Sequence, residues 1–327
     1  MQILIGLTTL LTGLGIFMSG VIVLRQSLNA LVQGKLKHAI SQVGRNRYIA
    51  ASTGVVAAAS MQSSGAVTTL AIGLVDNGAL SLFGASAIIL GANIGSTILG
   101  LAAASGILEF GSFLGIFSLV GSLVFLLSQR QRTHYIGQIF IGFGLLFVGM
   151  QTMSNAFGSS AIAVLIGDFL ANINFMPIVI VISALSAGLL QSSSAIVALS
   201  ITMVASNTIT LYTALYIVLG ADIGTCVVGI LASIGASRDA KRTAIMQLLF
   251  NIFGVILFAF LLSIFAQPIV YFLKTTTSTD ALAVAIFHLM FNLVTVIIAL
   301  PLLKPLIAIV CQITGDNFQH KSKIVKY

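Results

Sequence analysis

Apolar residues run in long unbroken blocks, without the period of a strand or of one helix face. Seven of them, residues 3–24, 80–105, 107–128, 135–155, 210–234, 243–265 and 281–303, each hold about the 20 residues a helix needs to cross a hydrocarbon core of roughly 30 Å. Residues 48–76 and 177–206 differ. A Gln-Ser-Ser interrupts each near its middle and leaves arms of about 13 residues, or roughly 20 Å of helix. Arms that short predict re-entrant hairpins that enter and leave from one side with a polar tip at mid-depth. The plainer alternative is one tilted helix with a polar patch.

The polar interruptions repeat. Met61-Gln62-Ser63-Ser64-Gly65-Ala66 returns as Leu190-Gln191-Ser192-Ser193-Ser194-Ala195, at an offset of 191 − 62 = 129. Gly91-Ala92-Asn93-Ile94-Gly95-Ser96 returns at the same offset as Gly220-Ala221-Asp222-Ile223-Gly224-Thr225, and Gly13, Gly15 and Gly20 return as Gly142, Gly144 and Gly149. Two copies of one unit are therefore expected: residues 1–134, then 135–265, with 266–327 supplying an extra span and a basic tail. Because the first block recurs in the second copy, residues 1–24 read as part of the fold rather than as a cleaved leader. The stretch 26–45 carries apolar residues at helical spacing with Lys35, Lys37 and His38 between them, which predicts an amphipathic helix in the interface; 155–172 is its less charged counterpart.

Charge decides how the blocks are threaded. With 58% hydrophobic and 7% charged residues, no soluble domain of this length could cover its surface, so the chain is expected to lie in a lipid bilayer. If the hairpins do not cross and residues 3–24 run inward, 14 of the 15 basic residues face the cytoplasm, and only Lys274 lies outside (15 − 1 = 14). A single crossing for each hairpin would instead put Arg130 and Arg132 outside, against the positive-inside rule. Each unit then has three crossings, an odd number, and the copies insert with opposite orientation. The expected fold is thus an all-α polytopic membrane protein of two inverted repeats, each with a re-entrant hairpin and a broken helix, plus the extra C-terminal span. The N-terminus is expected outside and the C-terminus in the cytoplasm of the cell membrane. The net charge of +8 sits in short loops and builds no continuous basic face, so no nucleic-acid partner is expected.

The hairpin tips carry the candidate chemistry. A half-helix starting at a tip offers free N–H groups and the positive end of its dipole, which can cradle an anion. Ser63, Ser64 and Gly65 start one such half-helix and Ser192, Ser193 and Ser194 the other, with the Gln62 and Gln191 amides beside them. No Lys or Arg is expected near the tips. Asn93 and Asp222, between paired glycines, with Thr97 and Thr225 following, predict a local unwinding whose carbonyls suit a monovalent cation. Asp222 is the one formal charge expected deep in a membrane segment, and such a residue is functional by default. Cys226 and Cys311 read as packed residues, and His288 as a hydrogen-bonded one. No nucleophile–His–acid set, phosphate loop or metal motif occurs, so no enzyme activity and no cofactor are expected, and an ion gradient is the expected energy source.

The double Gln-Ser-Ser and the double Gly-Ala-(Asn/Asp)-Ile-Gly resemble the type II sodium/phosphate cotransporter family and its bacterial relatives, over roughly residues 3–300. The resemblance implies coupled movement of Na+ and inorganic phosphate. Carried to this chain it nominates Gln62, Ser63, Ser64, Gln191, Ser192, Ser193 and Ser194 for phosphate, and Asn93, Thr97, Asp222 and Thr225 with both glutamines for Na+. It leaves open a homodimer, another anion, H+ as the coupling ion, and an anion channel. Gly65 and Asp222 depart from the family pattern, which has a third serine and a second asparagine. With only the basic tail of Lys321, Lys323 and Lys326 after the last span, the soluble regulatory domain of some relatives is not expected here.

Overall fold

The computed structural model describes residues 2–42, 46–109, 115–158, 161–173 and 175–315, and every element among them is an α-helix. The first is α1 (Gln2–Gln42). It joins the expected span and the expected interfacial helix into one, because no glycine or proline stands between Gly20 and Gly34 to stop it. The side chains of residues 32–45, on which the amphipathic expectation rests, lie outside the described residues, as does the basic tail. Next come α2 (Arg47–Met61) and α3 (Ser64–Asp76), the arms of the first hairpin, then α4 (Leu82–Glu109), α5 (Gly115–Leu127) and α6 (Gln131–Gly158). A short α7 (Ala161–Ala171) leads into the second hairpin, α8 (Pro177–Leu190) and α9 (Ser193–Ala205). Beyond it follow α10 (Leu211–Gly224), α11 (Cys226–Ala232), α12 (Arg238–Thr276), α13 (Asp280–Ala299) and α14 (Leu303–Ile313).

Among the described residues, six helical stretches are long and apolar enough to span a bilayer: 3–28, 82–105, 131–157, 211–232, 238–276 and 280–299. Of the run expected at 107–128, α4 takes the first residues and α5 only 13, roughly 20 Å; residues 110–114 lie outside the described set. Leu126 and Leu127 are 74% and 81% exposed, and Ile256, Phe260 and Tyr271 are exposed too, as suits a surface facing lipid. At its far end α12 overshoots the expected span. Phe265 leaves helical geometry three residues before Pro268, whose missing N–H and ring favour a kink there.

Both hairpins are re-entrant, as their mouths demonstrate. At the start of α2, the Asn46 side chain accepts the N–H of Tyr48 at 2.9 Å, and Arg47 Nη1 donates to the carbonyl of Pro301 just beyond α13, at 3.0 Å. At the end of α3, the Asp76 carboxylate accepts the N–H of Ser237, which precedes α12, at 2.7 Å; that bond holds its carboxyl below the ordinary carboxylate range. Since α12 and α13 turn back on each other at the Lys274–Asp280 ion pair of 3.1 Å, both arms of the first hairpin open at the opposite end from that turn. The second hairpin opens at the turn itself: Leu170, Val204, Thr210, Lys274 and Asp280 line one surface cleft. Each mouth sits in its own apolar cluster. Ala50, Val75, Leu82, Ala244, Leu300 and the Leu303–Ile307–Val310–Cys311 face of α14 form one. Val179, Val204, Leu211, Leu273 and Val284 belong to the other.

Glycine pairs fix the inverted relation. A Cβ on Gly13 would lie 2.9 Å from the carbonyl oxygen of Gly149, and one on Gly20 would lie 2.7 Å from that of Gly142. Gly13 and Gly142, like Gly20 and Gly149, are counterparts 129 apart, so each glycine meets the counterpart of the other. Only a two-fold relation between antiparallel helices produces that crossing. The paired glycines of the polar motifs serve the same kind of approach. Gly91 meets the Ala51 carbonyl and Gly220 the Ile180 carbonyl, again at one offset. Close packing rather than unwinding is their use in α4, which runs unbroken through Gly91–Gly95; at Thr225, between α10 and α11, the backbone also stays right-handed helical (φ −63°, ψ −21°) and its N–H bonds the Ala221 carbonyl at 3.3 Å, so the unwinding expected in each repeat is absent from both motifs.

Candidate functional site

The two tips have one backbone geometry. Gln62 and Gln191 end their first arms in the left-handed region at φ 49° and 51°, and the following Ser63 and Ser192 are extended. The Ser63 N–H returns to the Ala58 carbonyl at 3.3 Å and that of Ser192 to Ala187 at 3.1 Å, closing each C-terminus in the manner usually built on glycine. Each serine then caps the next helix: Ser63 Oγ accepts the Ala66 N–H at 3.1 Å, and Ser192 Oγ accepts the Ala195 N–H at 3.3 Å. The N–H groups of Ser64 and Gly65, and of Ser193 and Ser194, have no intrahelical acceptor and point with the positive ends of their helix dipoles.

These tips meet. Gln62, Ser63, Ser64 and Gly65 line one small cavity with Gln191, Ser192, Ser193 and Ser194, closed by Ser96, Thr225, Val228 and Arg25. All seven residues expected to bind the anion are brought together there. Ser192 Oγ and Ser194 Oγ lie 3.0 Å apart. The first tip has no counterpart to that pair, since Gly65 replaces the serine, and a Cβ there would come within 3.3 Å of Val228. Its volume of ≈ 20 Å³ admits about one water molecule.

The expectation that no basic side chain reaches the tips is overturned by Arg25. It follows the apolar run 3–24, where a basic residue reads as the start of a loop, but α1 continues through it and carries it to the cavity wall. Its Nε is buried without a hydrogen-bond partner, as is Gln62 Oε1. Arg25 supplies the one formal charge in the lining. Ser96, the counterpart of Thr225, lines the cavity, whereas Thr97 does not and donates to the Ile94 carbonyl of its own helix at 2.8 Å.

Asn93 and Asp222 lie in a second, fully buried polar cluster. Asn93 Nδ2 donates to Asn251 Oδ1 at 2.7 Å, and Asn251 Nδ2 donates to the Asp222 carbonyl at 2.7 Å, so α12 links the two repeated motifs. The Asp222 carboxylate accepts from Asn292 Nδ2 at 2.8 Å and faces His288 Nε2 at 3.2 Å. Thr225 belongs to both clusters, since it lines the cavity while its Oγ1 donates to the Asp222 carbonyl at 2.6 Å. Asn251, His288 and Asn292 were weakly signalled in sequence, by two Phe-Asn pairs three residues after Gln247 and His288.

Fold and site define a polytopic helical membrane protein with paired re-entrant tips around one polar cavity. The chain belongs to the Na+/Pi-cotransporter family, whose model matches residues 16–155 and 168–304. It is 28% identical over 304 residues to "Uncharacterized protein YqeW" of Bacillus subtilis (strain 168), covering 92% of this chain and 95% of that one. It is 27% identical over 311 residues to "Putative inorganic phosphate export protein YjbB" of Escherichia coli (strain K12), covering 91% of this chain but 54% of that protein. Its Salmonella typhimurium namesake is 26% identical over 302 residues, with 89% and 53% covered. The chain thus spans about half the length of these export proteins and nearly all of YqeW. No solved structure matches it significantly.

Proposed function

We propose that the protein is a secondary active transporter that moves inorganic phosphate together with Na+ across the cell membrane by alternating access. The observation that carries this reading is the meeting of two oppositely oriented half-helix N-termini, with their serines and glutamines, around a single cavity. Membership of the family and the names of the export proteins support phosphate as the cargo. An oxyanion held there by N–H and O–H donors leaves its charge poorly compensated inside a bilayer, and a co-bound cation offsets it. Oxygens of Gln62, Gln191, Ser96 and Thr225, backed by Asn93 and Asp222, are the groups assigned to Na+. The combined gradients of the two ions then set the direction of net movement. Arg47, Arg238 and Lys304 lie at one end of the bundle and Lys274 at the other, which favours a cytoplasmic C-terminus.

The test is uptake of radiolabelled phosphate into proteoliposomes under an inward Na+ gradient, set against an equal K+ gradient. Saturable uptake with Na+ alone is expected; uptake that ignores the cation, or none from folded protein, sinks the reading. One observation favours a second reading, in which H+ is the coupling ion: the Asp222 carboxylate is already engaged by His288 and Asn292. Asp222→Asn separates the two. Loss of uptake driven by a proton gradient in the absence of Na+ would assign proton coupling to that pair.

A further inference from the structure

The two tips are symmetric, but the cavity between them is not. Arg25 comes from α1, and its counterpart in the second repeat (25 + 129 = 154) is Ser154. One cation therefore serves both half-sites. It is set on the scaffold rather than on either hairpin: α1 packs against α6 through the glycine crossings, and two residues on, Ser27 Oγ meets Gln138 Oε1 at 3.1 Å.

We propose that Arg25 is a direct ligand of the transported anion and selects tetrahedral oxyanions carrying two adjacent acceptor oxygens. The assignment rests on the transport reading above and deepens it. Three observations converge. Arg25 supplies the one formal charge lining the cavity, which contains no carboxylate to answer it. Its Nε is buried without an acceptor among the described residues, and a guanidinium N–H left in that way is unfavourable unless a ligand takes it. The surrounding groups suit one ligand face: the guanidinium edge offers parallel N–H donors that match two oxygens of a phosphate, while the tip N–H groups and serine hydroxyls take the others. A halide is a single acceptor atom and cannot fill the fork and reach the tip donors at once. A carboxylate can fill the fork, but has no further oxygens for the tips.

The assignment gives Arg25 a sign opposite to that of a structural residue. Without ligand it is a burden on the fold; with ligand it is a clamp. Thermal unfolding of the purified full chain with Na+, with and without inorganic phosphate, reads this out. In the absence of phosphate Arg25→Gln should unfold at the wild-type temperature or above it, and it should lose the upward shift that phosphate gives wild type. Arg25→Lys, which keeps the charge but not the fork, should keep part of that shift. In proteoliposomes the KM for phosphate should rise about 10-fold or more in Arg25→Gln, with Na+ dependence retained. Phosphate should also slow modification of wild-type Arg25 by an arginine-selective dicarbonyl, followed by mass spectrometry, and chloride or acetate should not. A wild type that binds phosphate while Arg25→Gln binds it equally well overturns this assignment alone. So does an Arg25→Gln protein that is destabilised without phosphate, which makes the residue structural. A wild type with neither shift nor uptake overturns the transport reading and this assignment together.

Discussion

Gln62 and Gln191 stand where a glycine would cost nothing, since an L-residue in the left-handed region bears about 1–2 kcal/mol. Both repeats keep the amide there, and the proposed function gives that side chain a part in holding the ions in the cavity. Gln191→Gly should therefore remain within about 1 kcal/mol of wild-type stability, the relief of strain offsetting glycine's chain entropy, while phosphate uptake is lost. Thermal unfolding set beside uptake checks both halves, and a variant that transports normally removes the amide from the site. A neighbouring pair probes the cation. Ser96 lines the cavity and Thr97 does not, so Ser96→Ala should raise the Na+ concentration needed for half-maximal uptake by a few-fold, whereas Thr97→Val should leave it unchanged. Equal effects would move the Na+ ligands away from the cavity. The serines and glutamines of the tips were legible in sequence because the motif occurs twice. The choice between Ser96 and Thr97 was not, because a motif gives residue types while helical phase gives the face. Arg25 was hidden for a related reason: a basic residue after an apolar run reads as the start of a loop, and only the continuity of α1 makes it a wall of the site.

At the scale of helices, the hairpins could be read from arm length and from the distribution of basic residues, and their two mouths open at opposite ends of the α12–α13 pair. The glycine motif was less informative. Paired glycines permit local unwinding and also permit two helices to touch, and sequence does not separate the two uses. In α4 they permit touching: a Cβ on Gly91 would fall 1.8 Å from the Ala51 carbonyl oxygen. Gly91→Ala must push the first hairpin off α4 and should cost about 1–3 kcal/mol or more. Gly73→Ala, at an exposed position of α3 with nothing within 4 Å of the added Cβ, is the control and should be neutral or stabilising by about 0.5–1 kcal/mol. Comparable unfolding temperatures for the two variants would mean that the hairpin is not seated on α4 through that contact. The length of α1 and the extension of α12 to Thr276 escaped the hydropathy blocks for a simple reason: a helix ends where capping or a breaker stops it, not where its apolar stretch ends.

For the whole molecule, the two-fold relation between the repeats has a mechanical consequence. Two hairpins entering from opposite ends present equivalent tips to one cavity, so on the proposed alternating-access reading an exchange of conformations between the two repeats would convert an opening toward one side into an opening toward the other. With ≈ 20 Å³ the cavity holds about one water, and a phosphate ion is several times larger, so the proposed binding of phosphate there would require one tip to withdraw. A carrier withdraws one at a time; a pore would leave both withdrawn. Ser96 and Thr225 are counterparts on opposite repeats and both line the cavity, which makes them matched reporters. In a background with Cys226→Ala and Cys311→Ala, Ser96→Cys and Thr225→Cys should each react with a membrane-impermeant thiol reagent from either side of a proteoliposome, but never from both under one set of ion gradients. Reversing the Na+ and phosphate gradients should switch the reactive side for both positions together. Simultaneous labelling from the two sides, unaffected by the gradients, would identify an anion pore and remove alternating access from the account.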